Sequence, residues 1–112
     1  MQYALLIYGS GDGWAALSDE EREAQTKEYM EIGMSPQTKG SAELDELSTA
    51  TTVRVKDGDV LTTDGPFVDT KEFLGGFYLV ECDNLDEAIE IAARIPAART
   101  GGAIEVRPVI PH

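Results

Sequence analysis

Tyr3-Ala4-Leu5-Leu6-Ile7-Tyr8 is the stretch that most narrows what this chain can fold into. In an extended conformation Tyr3, Leu5 and Ile7 share one face and Ala4, Leu6 and Tyr8 the other, and both faces are apolar. A strand with a wet side alternates apolar and polar residues, so one that is apolar throughout has to be covered from both sides. The run is far shorter than the ~20 residues of a membrane helix. It lacks a preceding basic region and is closed by Gly9-Ser10-Gly11 without a small-residue cleavage pattern, so it reads as a strand and not a signal peptide. Gly75-Gly76 introduces a second strand of the same kind, Phe77-Tyr78-Leu79-Val80-Glu81-Cys82. The rest of the chain must therefore supply cover for two faces of one sheet.

Two helices are predicted. Ser18 and Glu21 form an S-x-x-E capping box, and Asp19, Glu20 and Glu21 put negative charge at the positive end of the helix dipole. Thr26, Tyr29, Met30, Gly33 and Met34 fall on one face as its inward stripe, and Pro36 ends it. Asn84, with Glu87 three residues on, caps the second helix, whose expected buried stripe is Leu85, Ala88, Ile89, Ala92 and Ala93 before Pro96. Residues 37–48 are polar and poorly periodic and predict a loop. Thr49 to Val55 and Val60 to Thr63 flank Lys56-Asp57-Gly58-Asp59, whose Asp-Gly dipeptide predicts a tight β-hairpin. The last strand, Ala103 to Val109, alternates Ile104, Val106 and Pro108 against Glu105, Arg107 and Val109.

The order strand, helix, hairpin, strand, helix, strand is the ferredoxin-like, split βαβ plan: an α+β domain over residues 1–112 with an antiparallel sheet. Two helices cover one face only. A second copy packed sheet on sheet is the simplest cover for the other, so a homodimer is expected.

Charge and cysteine content remove several function classes. Twenty-one acidic against nine basic residues give a net charge of −12, which repels nucleic-acid backbones and anionic membranes. Such a surface keeps a protein soluble, and it would also suit a basic partner protein. Cys82 is the sole cysteine, so no intrachain disulfide and no multi-cysteine metal site can form, and a cytoplasmic location is expected. His112, the last residue, is the sole histidine, which leaves no metal-ligand cluster and no Cys-His or Ser-His pair; no metal and no cofactor is expected. Gly9, Gly11 and Gly13 stand between strand and helix where a phosphate loop would, but the spacing is not the dinucleotide fingerprint and Asp12 would repel a phosphate.

The densest polar cluster is Thr63-Asp64-Gly65-Pro66-Phe67-Val68-Asp69-Thr70-Lys71-Glu72. Asp-Gly-Pro holds its backbone tightly, and one reading is a turn whose carboxylates satisfy backbone donors. The other makes Asp64 or Glu72 a general acid or base, with Lys71 or Arg54 holding an anionic group of a ligand. Tyr8 and Tyr78, near the ends of the two central strands, would then offer an aromatic wall or a phenol donor, unless they are core tyrosines with satisfied hydroxyls.

Asp64-Gly65-Pro66-Phe67, with Lys71-Glu72 and Gly75-Gly76-Phe77-Tyr78, resembles the signature of the DGPF proteins within the YCII-related family. The likeness extends to Tyr3 to Gly9, Ser48 to Arg54, Leu85 to Ala93 and Glu105 to Pro108, while residues 35–47 lie outside it. It implies a dimeric α+β barrel, two ferredoxin-like sheets packed face to face with a cleft near the dimer interface. For some members it implies an enzyme acting through a His-Asp pair, and this chain has no internal histidine for that role. It also implies association with extracytoplasmic-function sigma factors. Two functions are therefore expected: binding of a small molecule at the dimer cleft, with lyase, isomerase or hydrolase chemistry by carboxylates, or a non-catalytic accessory role beside a sigma factor.

Overall fold

In the computed structural model, which describes Met1–His112, β1 (Gln2–Gly9) is a central strand, as its two apolar faces require. It pairs antiparallel with β5 (Phe73–Glu81) on one side and β6 (Ala103–Pro108) on the other. β2 (Thr38–Glu43) completes a four-stranded sheet of order β2-β5-β1-β6. A four-residue helical turn, α1 (Asp12–Ala15), precedes the long helix α2 (Asp19–Gly33), and α3 (Leu85–Arg94) links β5 to β6. The fold is α+β and ferredoxin-like, with helix crossovers between β1 and β2 and between β5 and β6.

Residues 37–48 are not a loop. Thr38–Glu43 form the edge strand β2, and Leu47–Thr49 form a single 3-10 turn. A polar segment with a glycine at its third position has no strand signature of its own. It becomes a strand because β5 offers an unpaired edge, and the pairing slips by one residue between Thr38 and Gly40. The predicted hairpin does form, from β3 (Thr51–Lys56) and β4 (Asp59–Asp64). Asp57 and Gly58 both have positive φ, 51° and 83°, as a two-residue hairpin turn of the type that Asp-Gly favours requires. The hairpin is not part of the main sheet, however; it stands apart as a two-stranded ribbon.

The core lies between the sheet and α3. Tyr3 and Leu5 from β1 and Tyr78 and Val80 from β5 meet Ala88, Ile91, Ala92 and Ile95. The expected stripe on α3 was partly right: Ala88 and Ala92 are buried, while Leu85, Ile89 and Ala93 are exposed and Ile91 and Ile95 take their place. Both of its capping signals are met by one bond, the Glu87 amide donating to the Asn84 side chain.

On α2 the capping box is formed in full, Ser18 and Glu21 each bonding the other's backbone amide. Its predicted apolar stripe is corrected in part: Tyr29 packs on the core and Gly33 faces Tyr78, but Thr26 is exposed, Met30 and Met34 face solvent, 60% and 81% exposed, and Ile32 is the one buried residue of the helix. With so few apolar residues at the contact, polar contacts help to hold the helix against the sheet. The Tyr78 hydroxyl donates to the Tyr29 carbonyl at 2.7 Å, the Thr38 hydroxyl to the Ile32 carbonyl at 2.6 Å, and Arg99 to both oxygens of Glu28 at 2.7 Å.

Both helices pack on the face that carries Tyr3, Leu5, Tyr78 and Val80. The opposite face presents Ala4, Leu6 and Tyr8 beside Leu79 and Phe77 in register, with Ala42 on β2 and Glu105 and Arg107 on β6. No helix lies over it.

Candidate functional site

A pleat irregularity lies beside an open depression at one end of that face. Ile7 pairs with Gly76 but Tyr8 pairs with Leu74, so Gly75 is an extra residue on β5 and the strand bends there. At this end of β1, Tyr8 lies between Leu74 of β5 and Ala103 of β6, so the segment before β5 and the start of β6 flank it. The result is an open groove of about 540 Å³ lined by Tyr8, Thr70, Glu72, Ala103, Ile104 and Glu105. The start of β6 can approach so closely because residue 102 is glycine: a Cβ there would sit 2.4 Å from the Tyr8 carbonyl oxygen and 3.0 Å from that of Ala97.

Of the six residues singled out by sequence, Tyr8 and Glu72 line this groove, 64 positions apart in the chain. Tyr8 is half-buried and Glu72 exposed. The Thr70 hydroxyl donates to the Glu72 carbonyl oxygen and pins the turn that presents the glutamate. Asp64 ends β4, at the foot of the ribbon, and Lys71 is exposed; neither lines the groove. Arg54 lies on the ribbon with its guanidinium 4.8 Å from the centre of the Phe67 ring, a cation–π contact. Pro66 and Phe67 thus belong to a turn that closes the foot of the hairpin. The Gly65 amide donates to the Ala50 carbonyl at 2.7 Å, and the Thr52 hydroxyl to the Gly65 carbonyl at 2.8 Å.

Tyr78 is not brought to the groove. It sits on the helix-covered face of the sheet, 6% exposed, with its hydroxyl bonded to Tyr29. Alternation explains this: in β5 Tyr78 points the same way as Val80, and in β1 Tyr8 points the same way as Leu6, so the sheet itself separates the two phenols. Burial pushes the Tyr78 phenol up to about 12, and raises Tyr29 in the same way. Both phenols therefore stay protonated near neutral pH, and the Tyr78 hydroxyl is committed to the Tyr29 carbonyl. Cys82 is buried, and burial pushes its thiol up, which disfavours the reactive thiolate.

Sequence reading did not single out Ala103, Ile104 or Glu105 as groove residues. Alternation had already set Glu105 opposite Ile104 and Val106, but only the antiparallel register of β6 on β1 brings it beside Tyr8's end of the strand. Arg107 lies 3.8 Å from Glu105, a loose, exposed pair that supplies little binding energy of its own. The lining has two carboxylates, a hydroxyl and a phenol, and neither lysine nor arginine. No three His, Cys, Asp or Glu side chains are grouped so as to hold a metal ion. No helix is long and apolar enough to cross a membrane.

Fold and groove together define a small ferredoxin-like α+β protein with one open, apolar sheet face and an acidic depression at its end. The family model of the YCII-related domain matches residues 1–112, and the chain belongs to that family. It is 38% identical over 118 residues to an uncharacterized protein of Rhizobium meliloti (strain 1021), covering 97% of this chain and 92% of that protein.

Proposed function

We propose that this YCII-related chain binds a small molecule in the groove between β1, β6 and the segment before β5, at the edge of an interface with a second copy of itself. The observation that carries this reading is that Tyr8 and Glu72, distant in sequence, line one concavity large enough for a small metabolite. Glu72 is the acid or base of an accompanying lyase, isomerase or hydrolase step, and the Tyr8 ring is an apolar wall. Glu72 and Glu105, without a lysine or arginine in the lining, favour a ligand that is cationic or rich in hydrogen-bond donors. This differs from the anionic ligand that Lys71 and Arg54 would have held. Asp64 belongs with the turn at the foot of the hairpin and not with the ligand.

A library of small amines and polyols, screened by ligand-observed NMR, tests the reading. Hits should be lost or weakened at least about tenfold in Glu72→Gln and Tyr8→Ala, with the far-ultraviolet circular dichroism unchanged, and kept in Asp64→Asn. Hits that survive both groove variants would sink it.

The net charge of −12 favours a second reading, an accessory module docked on a basic surface of a sigma factor. Salt-dependent co-sedimentation with such a factor, unaffected by Glu72→Gln, would support that role in place of ligand binding.

A further inference from the structure

The β3–β4 ribbon projects from the body of the molecule with one face that nothing covers. Val53, Val55, Val60 and Thr62 share that face in register, and the three valines are 59%, 68% and 67% exposed. The opposite face carries Arg54, Leu61 and Thr63, with Arg54 folded over Phe67. Throughout the hairpin Thr52 is the one residue that is not exposed. The shape of the chain shows the same thing: its radius of gyration is 15.9 Å, where a compact domain of this length has about 13 Å.

A two-stranded hairpin in water is marginal at best, because it fixes a dozen residues while burying almost nothing. A regular ribbon with an all-β-branched apolar face therefore needs a partner surface. The chain carries one of matching chemistry, the open sheet face of Ala4, Leu6, Phe77 and Leu79. The ribbon does not fold back onto its own sheet; its strands pair only with each other.

We propose that the ribbon is an exchanged arm: in a two-fold dimer, Val53, Val55 and Val60 of each copy pack against the margin of the other copy's open sheet face, flanking the region where the two sheets stack. This rests on the second-copy reading above and adds the segment that makes the contact. Area favours it. Four strands at ~4.8 Å spacing and six residues at ~3.3 Å give a sheet face of about 400 Å² in projection, and a two-stranded ribbon of the same length adds about half as much again. Two arms enlarge the contact on each side by about 200 Å² in projection. They also cover at once the two apolar surfaces that a single chain leaves uncovered, which is what a reciprocal two-fold contact does.

The test combines sedimentation equilibrium with hydrogen exchange read by mass spectrometry on the intact chain. At concentrations where the mass is that of a dimer, amides in residues 51–64 should be protected at least ~1,000-fold, and lose that protection on dilution to monomer. Val55→Lys, at a position already exposed in the single chain, should keep the native circular dichroism and weaken the dimer at least about 100-fold. Val55→Thr, which keeps a β-branched side chain in the strand, should weaken it by a smaller factor. A dimer whose 51–64 amides exchange as freely as an unstructured peptide overturns the arm and leaves the sheet-face dimer standing, as does a dimer unaffected by either substitution. A chain that stays monomeric overturns both.

Discussion

Replacing Tyr78 by phenylalanine removes one oxygen from the interface between sheet and α2, and its cost should change sign with pH. At neutral pH the variant loses the 2.7 Å hydrogen bond to the Tyr29 carbonyl in a site that is 6% exposed. That bond is worth about 1–1.5 kcal/mol net. It is also one of the few contacts that dock α2, which buries Ile32 alone. The wild-type phenol titrates at about 12 in the folded chain and at about 10 when unfolded. The folded state thus holds its proton more tightly than the unfolded state, so stability present below pH 10 is lost as pH rises towards 12. Two pH units correspond to about 2.7 kcal/mol. Phenylalanine has no such loss. The variant should therefore be the less stable protein at pH 8, draw level at roughly pH 11, and be the more stable by about 1 kcal/mol at pH 12. Urea unfolding followed by far-ultraviolet circular dichroism across this range measures both curves. A stability difference that stays constant from pH 8 to pH 12 would refute the reasoning, because it would mean that the phenol is not held neutral by burial.

Two further outcomes follow from the packing. Gly102→Ala places a methyl 2.4 Å from the Tyr8 carbonyl oxygen, a clash with backbone that should cost about 2–4 kcal/mol in thermal or urea unfolding. The same substitution should distort the groove, since Tyr8 and Ala103 meet there. Cys82, 3% exposed with its thiol pushed up by burial, should react with a thiol reagent only in proportion to the unfolded fraction, and rapid labelling of native protein would contradict that placement.

What the sequence made legible was the part of the fold decided by local chemistry. β1 and β5 announced themselves as central strands because both of their faces are apolar, and they are the two inner strands of the sheet. Ser18 with Glu21, Asn84 with Glu87, and Asp57-Gly58 each specify a backbone geometry within four residues, and each is found. β2 was hidden because Thr38-Lys39-Gly40-Ser41-Ala42-Glu43 carries no alternation; its strand character comes from the edge of β5, which is information held elsewhere in the chain. The detachment of the hairpin was hidden for the converse reason, since valine alternation reads the same in a sheet as in a free ribbon. In the groove, residue type pointed to Tyr8 and Glu72, while Glu105 and the separation of Tyr8 from Tyr78 depend on strand register and on which face each residue takes. Arg54 was drawn in by its charge and Asp64 as the first residue of the Asp-Gly-Pro turn, and both serve the foot of the ribbon, Arg54 by stacking on Phe67 and Asp64 by ending β4.

Twelve of 112 residues are buried in the single chain, a small core for its length, while an apolar sheet face is only half-buried and an apolar ribbon is exposed. The groove lined by Tyr8 and Glu72 opens on that same face. A second copy is therefore what would complete the molecule. Sedimentation equilibrium of the unmodified chain at ~100 μM measures this directly. The predicted result is a single species of twice the 12.1 kDa chain mass; a single species of 12.1 kDa, stably folded at that concentration, would contradict it.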